Sequence, residues 1–175
     1  NRAWMHGATY RSAVEANSVM AGGSISEVVS SKAPGFAPGD LVFADTCWQD
    51  YAALPAAQLT KMPKVEPMSY LLSVFGIAGL TAYFGLLHVG KPKQGETVVV
   101  SAAAGSVGSI VGQIARIKGC RVVGIAGGKD KCHWLTSELG FDAAVDYKDG
   151  ATFKALRAAT PKGIDVYFEN VGGEH

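Results

Sequence analysis

The chain has 175 residues, of which 48% are hydrophobic and 18% are charged, and its formal net charge is +1. At about 150 residues per domain, this length allows one domain with part of another, or two small domains. The near-neutral charge argues against a nucleic-acid-binding surface, and the high apolar content argues against intrinsic disorder. We therefore expect a folded chain with no nucleic-acid partner.

The first part of the chain is typical of a β-rich region. Short apolar or β-branched runs at residues 25–30 and 41–44 predict two strands, and residues 34–40 between them form a turn rich in proline and glycine. Residues 48–54 predict a further strand that ends at Pro55.

An apolar segment follows at residues 68–87, which contain no charged residue, histidine or proline. Its length matches the ~20 residues that a membrane-spanning helix needs. Glycines and hydroxyl groups lower its preference for lipid, and basic residues flank it on both sides, so they indicate no membrane orientation. We expect a buried segment, broken near residues 76–79, in preference to a membrane span.

From residue 97 onward, buried-strand patterns alternate with helical periodicity. The predicted strands are residues 97–102, 121–126, 143–147 and 164–169, and the predicted helices are residues 106–118, 129–139 and 151–160, with Gly140 as a left-handed cap. Strands separated by such helices form right-handed βαβ units on a parallel sheet. The predicted fold class is therefore α/β, with a doubly wound parallel sheet after a β-rich region.

A turn with two glycines joins the first of these strands to its helix. Residues 101–108 are a variant of the dinucleotide-binding fingerprint, with Ala103 in the first glycine position. Gly105 is expected to let the backbone approach a pyrophosphate, and Gly108 to let the helix pack closely on the strand. The helix N-terminus supplies free N–H groups and a positive dipole. This context favours nucleotide binding over a turn that only packs tightly.

The end of the next strand indicates which dinucleotide binds. NAD sites place an Asp or Glu about 20 residues beyond the glycine turn. Here Gly127 and Gly128 occupy that place, and Lys129 and Lys131 follow. Small residues leave room for a 2′-phosphate and the lysines can neutralise it, so NADP(H) is favoured. The alternative is two lysines on the solvated first turn of a helix, where they oppose the helix dipole.

Six stretches spread over nearly the whole chain carry a resemblance to a known family: residues 36–42, 48–51, 79–87, 102–108, 127–132 and 169–173. Together they resemble the zinc-independent medium-chain dehydrogenase/reductase superfamily, in particular its NADPH-dependent enone and alkenal reductases of the prostaglandin reductase and curcumin reductase type. The resemblance implies part of a GroES-like catalytic domain in residues 1–70 and part of an NADP-binding Rossmann domain in residues 71–175.

The resemblance also implies roles for individual residues. The implied cofactor-binding residues are Thr81 at the nicotinamide end, Gly105, Ser106, Val107 and Gly108 at the pyrophosphate, Lys131 at the 2′-phosphate, Tyr147 on the adenosine side, and Asn170 after the fourth strand. For Tyr147, Asn170 and Thr81, the alternative is a structural role without the coenzyme. Tyr147 then ends a half-buried strand, Asn170 forms a turn, and Thr81 bonds its own helix backbone.

The reaction implied is transfer of the nicotinamide C4 hydride to the β-carbon of an α,β-unsaturated ketone or aldehyde, the small-molecule substrate. No metal is expected, because residues 20–23 replace the histidine motif of zinc-bound relatives and the cysteines do not cluster. Residues 4–6, Trp-Met-His, stand where relatives have Tyr-Met-Arg. The proton donor is therefore open: Tyr51 is a candidate, and the alternative is a strand tyrosine packed on the core.

Three further expectations concern the protein's setting. Three cysteines without a C-x-x-C pair, and no apolar signal-peptide core, favour a reducing cytoplasmic location. A sheet that ends at its fourth strand has an unpaired edge, which a second copy in a homo-oligomer or a further portion of chain is expected to cover. A non-catalytic NADPH-binding module and a quinone reductase of the same superfamily stay as alternatives to the enone reductase.

Overall fold

The computed structural model describes residues 13–172. The Trp-Met-His stretch at residues 4–6 therefore lies outside the described residues. The chain divides into two units, Asn1–Leu72 and Ser73–His175. Each unit has a sheet of its own, the first antiparallel and the second parallel.

The first unit contains a three-stranded antiparallel sheet in the order β1-β2-β3. Its strands are β1 (Ser24–Glu27), β2 (Leu41–Ala44) and β3 (Thr60–Lys61). The predicted strand at 41–44 is confirmed, whereas the strand predicted at 25–30 begins one residue earlier and ends at Glu27.

The strand predicted at residues 48–54 is wrong, since no strand lies there. The backbone of Cys47 has a left-handed conformation with φ of 61°, which turns the chain out of the extended path of β2. The N–H groups of Cys47 and Trp48 then bond the carbonyls of Gly22 and Met20 in an irregular loop. A local apolar pattern was thus outweighed by one turn residue before it.

The apolar segment at 68–87 forms three short elements. They are a 3₁₀ turn (Met68–Leu71), helix α1 (Ile77–Phe84) and a π-helical turn (Gly85–Gly90). The break predicted near residues 76–79 is present, because Gly76 precedes α1 in extended conformation. The expected burial holds for one face only: Ala82 and Leu86 are buried, whereas Ile77 is 81% exposed. Among residues 13–172, no helix has both the length and the apolar character needed to cross a bilayer.

The second unit contains a four-stranded parallel sheet in the order β6-β5-β4-β7. Its strands are β4 (Thr97–Val100), β5 (Arg121–Ala126), β6 (Ala143–Asp146) and β7 (Val166–Phe168), and its further helices are α2 (Ser106–Ile117), α3 (Lys129–Ser137) and α4 (Thr152–Ala159). The predicted α/β sheet is confirmed, with most boundaries within two residues. Strand β4 ends before residue 102 because Ala102 is left-handed, with φ of 43°.

The parallel sheet is doubly wound. On one face, Val98, Val100 and Val122 pack with α2 and α3, whereas on the other Val99 and Val123 pack with α4. The strand order reverses between β4 and β7, since β5 and β6 lie on one side of β4 and β7 lies on the other. In sheets of this kind, ligands bind at the carboxyl ends of the strands beside such a reversal.

Candidate functional site

The glycine turn lies at this reversal point, between β4 and α2. Gly105 is the N-cap residue of α2, and its own N–H bonds the carbonyl of Ala102. No side chain caps the helix. The N–H groups of Ser106, Val107 and Gly108 open the helix, where an intrahelical acceptor is absent by geometry. The turn therefore presents several backbone donors and the positive end of a helix dipole.

Close packing explains the glycines. A Cβ at Gly108 would lie 2.5 Å from the carbonyl oxygen of Ala102 and 2.8 Å from the Cα of Ala103. Gly105 has more room, with a Cβ 3.0 Å from the same oxygen. Gly108 thus lets α2 begin directly against the turn, as expected for the last glycine of such a fingerprint.

At the ends of β5 and β6, two loops leave the sheet side by side. Because the register pairs Ala126 with Asp146, the next residues, Gly127 and Tyr147, are neighbours. A Cβ at Gly127 would lie 2.7 Å from the Tyr147 hydroxyl oxygen and 2.7 Å from its Cζ. The expected open space over Gly127 is therefore occupied by the tyrosine ring. Tyr147 is 54% exposed and lies directly after the last residue of β6, in a 3₁₀ turn, so it does not itself end the strand.

The Asp146 carboxylate joins these two loops. Its Oδ1 accepts a hydrogen bond from the Gly128 N–H at 2.8 Å and another from the Lys148 N–H at 3.0 Å. These two bonds hold the pKa of Asp146 below its ordinary value. Beyond Gly128, which has φ of 103° and open space at its Cβ position, Lys131 lies exposed in the first turn of α3.

On the other side of β4, Ser101 connects the ends of β4 and β7. Its hydroxyl donates to Glu169 Oε1 at 2.8 Å and accepts from the Asn170 N–H at 2.7 Å. The Asn170 side-chain amide donates to the Ser101 carbonyl at 2.9 Å. Asn170 is thus tied to β4 by two bonds, and its side chain keeps an oxygen acceptor and a second N–H donor.

Glu169 gathers donors from its own turn as well. Partial burial raises the pKa of Glu169, but hydrogen bonds from the Val171 N–H, the Ser101 hydroxyl, the Gly172 N–H and the Tyr167 hydroxyl outweigh it and lower the pKa to about 2. The nearby carboxylate in turn adds to burial in raising the pKa of Tyr167. The carboxylate is therefore charged throughout the neutral range.

Thr81 lies in α1, toward the carboxyl edge of the sheet. A Cβ at Gly85 would lie 2.8 Å from the Phe168 ring, and one at Gly90 would lie 3.2 Å from Val166, so this segment runs antiparallel to β7. Thr81 is one turn before Gly85. Its hydroxyl donates to the Ile77 carbonyl at 2.7 Å, which is the ordinary alternative for this residue, and its oxygen stays exposed as an acceptor.

Tyr51 belongs to the first unit and is 78% exposed. It lines an open cavity of about 1410 Å³ with residues of β1, β2 and the following loop. The alternative reading of Tyr51 as a strand tyrosine packed on the core is wrong, because its segment is not a strand and its ring is exposed.

The second unit brings five sequence-predicted positions to one edge of its sheet: the turn at 105–108, Lys131, Tyr147, Asn170 and Thr81. Sequence reasoning missed three residues that organise this edge, namely Ser101, Asp146 and Glu169. Asp146 did have a local signal, since an aspartate at a strand end two residues before a free N–H is typical of a side-chain-bonded turn. Ser101 and Glu169 meet only because β4 and β7 are neighbours, at a separation of 68 residues.

Metal ligands do not cluster in the described part of the chain. Across residues 13–172, no group of three or more His, Cys, Asp or Glu side chains is arranged to hold a metal ion.

Comparison with known proteins assigns both units. The family described as "N-terminal domain of oxidoreductase" matches residues 1–62, and the family described as "Zinc-binding dehydrogenase" matches residues 106–175. The chain is 47% identical over 167 residues to the NADPH-dependent curcumin reductase of Escherichia coli strain K12, a match that covers 95% of this chain and 48% of that protein. The chain belongs to the medium-chain dehydrogenase/reductase family.

Two further members of the medium-chain dehydrogenase/reductase family agree with this assignment. The NADP(+)-dependent 2-alkenal reductase of Nicotiana tabacum is 46% identical over 160 residues, which are 90% of this chain and 47% of that protein. The crystal structure of CurA from Vibrio vulnificus in complex with NADPH superposes with a TM-score of 0.88 at 45% identity, covering 99% of this chain and 52% of that one. The chain spans about half the length of the curated relatives it matches.

Proposed function

We propose that this chain is the NADPH-binding part of an oxidoreductase that reduces the carbon–carbon double bond of α,β-unsaturated ketones and aldehydes. The observation that carries the proposal is the start of α2 at the reversal of strand order, where uncapped N–H groups follow a turn packed too closely for any residue but glycine at position 108. Such a helix start is a ready site for a pyrophosphate. The relatives named for NADPH-dependent reduction support the coenzyme and the reaction class.

The residues at this edge fit NADPH in kind and in order. The N–H groups of Ser106, Val107 and Gly108 would hold the pyrophosphate, with Gly105 letting the backbone approach it, and Lys131 would neutralise the 2′-phosphate. Tyr147 would lie on the adenosine side, since it follows β6, and Asn170 would bind the other half of the coenzyme, since it follows β7. Thr81 would contact the nicotinamide end, toward which α1 brings its exposed oxygen.

When bound, the coenzyme supplies a hydride from the nicotinamide C4 to the β-carbon of the enone. The chain's own residues would orient the coenzyme, and an exposed tyrosine hydroxyl is suited to donate a proton to the substrate. We propose Tyr51 for that role in the first unit, as part of a GroES-like catalytic domain in residues 1–70, with residues 71–175 as part of the Rossmann domain. We also propose that the reaction proceeds without zinc.

Two proposals concern the surroundings of the protein. We propose a cytoplasmic location, since Cys47, Cys120 and Cys132 are free thiols that a reducing compartment maintains. The outer edge of β7 has no paired strand among the described residues. We propose that a second copy or a further portion of chain covers this edge, and sedimentation of the purified chain would separate a dimer from a monomer.

The coenzyme proposal is tested by calorimetric titration of the purified chain with NADPH, NADH and 2′,5′-ADP. We expect NADPH and 2′,5′-ADP to bind and NADH to bind at least about tenfold more weakly, as the loss of one charged contact predicts. No heat with any of the three would overturn the proposal. Equal affinity for NADPH and NADH would overturn the assignment of Lys131 to a phosphate.

The reaction proposal is tested by NADPH oxidation with a simple 2-alkenal and, in parallel, with a quinone. Turnover of the alkenal supports the enone reductase, whereas turnover of the quinone alone would favour a quinone reductase. Coenzyme binding with no turnover of either would support a non-catalytic NADPH-binding module. Tyr51→Phe is expected to lower alkenal turnover and leave NADPH affinity unchanged.

A further inference from the structure

The loops after β5 and β6 are held together more firmly than their exposure suggests. Three features converge there: the Tyr147 ring lies against Gly127, and the Asp146 carboxylate bonds the N–H groups of Gly128 and Lys148. In these loops, the resemblance implies a role for Tyr147 and for Lys131. Asp146 has no such role, and the space expected over Gly127 for a 2′-phosphate is occupied by the Tyr147 ring.

Gly127 stands where an NAD site would place its acidic residue, directly after the second strand of the βαβ series. A Cβ at this position would lie 2.7 Å from the hydroxyl oxygen and Cζ of Tyr147 and 2.8 Å from its Cε1. Real Cβ atoms do not approach other atoms so closely, so any side chain at 127 must displace the ring. Because the displaced atoms are the far end of an exposed side chain, the fold can accommodate the change while the ring cannot stay in place.

Asp146 is an anion at the edge where a phosphate is proposed to bind, and the two negative charges would repel each other. A structural role for the carboxylate would explain why it is present there. Its Oδ1 accepts both backbone bonds, and those bonds connect the residue before α3 to the residue after Tyr147. Tyr147 therefore lies between Asp146, which carries the acceptor oxygen, and Lys148, whose N–H donates to it. The same oxygen also accepts from the Gly128 N–H in the neighbouring loop. An acceptor at this position sets the placement of the ring and of the first turn of α3 together.

We propose that Gly127 and Asp146 are positioning residues for coenzyme selectivity, Gly127 by leaving space for the Tyr147 ring and Asp146 by clamping the two loops that carry Tyr147 and Lys131. The proposal rests on the proposed function, since it requires NADPH at this edge. Neither residue contacts the coenzyme. Each acts by fixing where the phenol and the ammonium group stand relative to a 2′-phosphate.

The first test is a double-mutant cycle of Gly127→Ala and Tyr147→Ala, with the ratio of NADH to NADPH dissociation constants as the readout. Each single variant is expected to reduce this ratio by about tenfold, the effect of losing one hydrogen bond to a charged group. In the Tyr147→Ala background, Gly127→Ala is expected to add nothing, because it acts through the ring. Equal losses from Gly127→Ala in both backgrounds would overturn the role of Gly127.

The second test compares Asp146→Ala with Asp146→Asn. Asparagine keeps a side-chain oxygen that accepts both N–H bonds but lacks the charge, so it is expected to retain the wild-type ratio, whereas alanine is expected to lose it. If both variants lower the ratio of dissociation constants equally, or both leave it at the wild-type value, the proposed role of Asp146 is overturned. Asp149→Ala, which removes the same charge from the same turn, is the matched control and is expected to leave the ratio unchanged.

The outcomes separate this inference from the proposed function. Wild-type chain that binds no NADPH would overturn both. Wild-type chain that prefers NADPH, with variants that keep the preference, would overturn only the inference. If Asp146→Ala does not fold, the cycle at Gly127 and Tyr147 still decides the role of Gly127, because the only atoms it displaces or removes belong to an exposed side chain. Asp146→Ser, which shortens the acceptor without removing it, then replaces alanine in the test of the clamp and is expected to lower the ratio.

Discussion

On each side of strand β4 a carboxylate holds the loops at the carboxyl edge of the sheet, but the hydrogen-bond donors differ between the two sides. On the β5–β6 side, the Asp146 carboxylate joins two loops through backbone N–H groups alone. On the β7 side, the Glu169 carboxylate accepts from the Ser101 hydroxyl at the end of β4 as well as from backbone N–H groups of its own turn. Because this hydroxyl belongs to the residue directly after β4, the geometry of the β7 side depends on where β4 ends.

This difference has a consequence for the coenzyme. The dinucleotide in such a fold lies across the reversal point, with one mononucleotide half on each side. On the β5–β6 side, an exposed tyrosine and an exposed lysine lie beside the loops that Asp146 joins, so the proposed coenzyme binding there would depend on side chains. On the β7 side, Asn170 is bonded to Ser101 through both its backbone and its side chain, so the proposed binding there would depend on a loop held by these bonds. Affinities for NADPH and for 2′,5′-ADP, which carries only the adenosine half, would therefore test the two sides separately.

The variant Gly105→Val is expected to have the largest effect, because the turn at 105–108 serves both sides. A Cβ at position 105 would lie 3.0 Å from the carbonyl oxygen of Ala102, and valine adds two methyl groups beside that contact. Either the turn opens or the methyl groups cover the first N–H groups of α2. Affinity for both NADPH and 2′,5′-ADP should fall by about 100-fold or more, as expected when several bonds to phosphate are lost.

Calorimetry measures this loss, and far-ultraviolet circular dichroism of the same sample checks that the variant is folded. Gly105→Ala, with one methyl group in the same contact, should have an intermediate effect. Unchanged affinity in folded Gly105→Val would contradict the assignment of the turn to the pyrophosphate.

The variant Lys131→Ala tests the β5–β6 side alone. Removing the ammonium group should weaken NADPH and 2′,5′-ADP by about tenfold and leave NADH within about twofold, since only the first two carry a 2′-phosphate. Lys154→Ala is the control, because it removes the same charge from α4 on the other face of the sheet. Equal losses for NADPH and NADH would contradict a phosphate role for Lys131.

The architecture of this edge could be predicted from the sequence because it depends on local patterns. Strand β5 was predicted at its observed bounds, and helix α2 within one residue, since both have continuous or strictly periodic apolar positions. A single family of parallel βαβ units then places every strand end at one edge. The segments that carry Lys131, Tyr147 and Asn170 follow three of these strands, so they lie at this common edge.

Contacts between neighbouring strands could not be predicted in the same way. The packing of Tyr147 on Gly127 follows from the register of β5 against β6, which neither strand encodes by itself. The apolar segment shows the same limit. Ile77 and Leu80 are apolar, yet they are exposed, because burial depends on what packs against each face of α1 and not on composition.

The variant Glu169→Gln tests the β7 side alone. Glutamine keeps the length of the side chain but removes the charge that strengthens the bonds from Ser101, Val171 and Gly172. We expect NADPH affinity to fall by about fivefold and 2′,5′-ADP affinity to stay unchanged, because the probe lacks the half that meets this loop. Glu138→Gln, at an exposed position directly after α3, is the charge-matched control. An equal loss for both ligands would show that the two sides are not separable.

The smallest expected effect is the response of the β7 side to acid. The pKa of Glu169 is lowered from 4.5 to about 2 in the folded chain, so its contribution to stability is fully present above pH 4.5 and is lost as the pH falls toward 2. Urea unfolding of wild type and of Glu169→Gln should therefore differ most at neutral pH and converge in that window. Glutamine gains no proton in this window, so only the wild type is expected to lose stability through residue 169. A difference in unfolding free energy that stays constant down to about pH 2 would therefore contradict the charged network at Glu169.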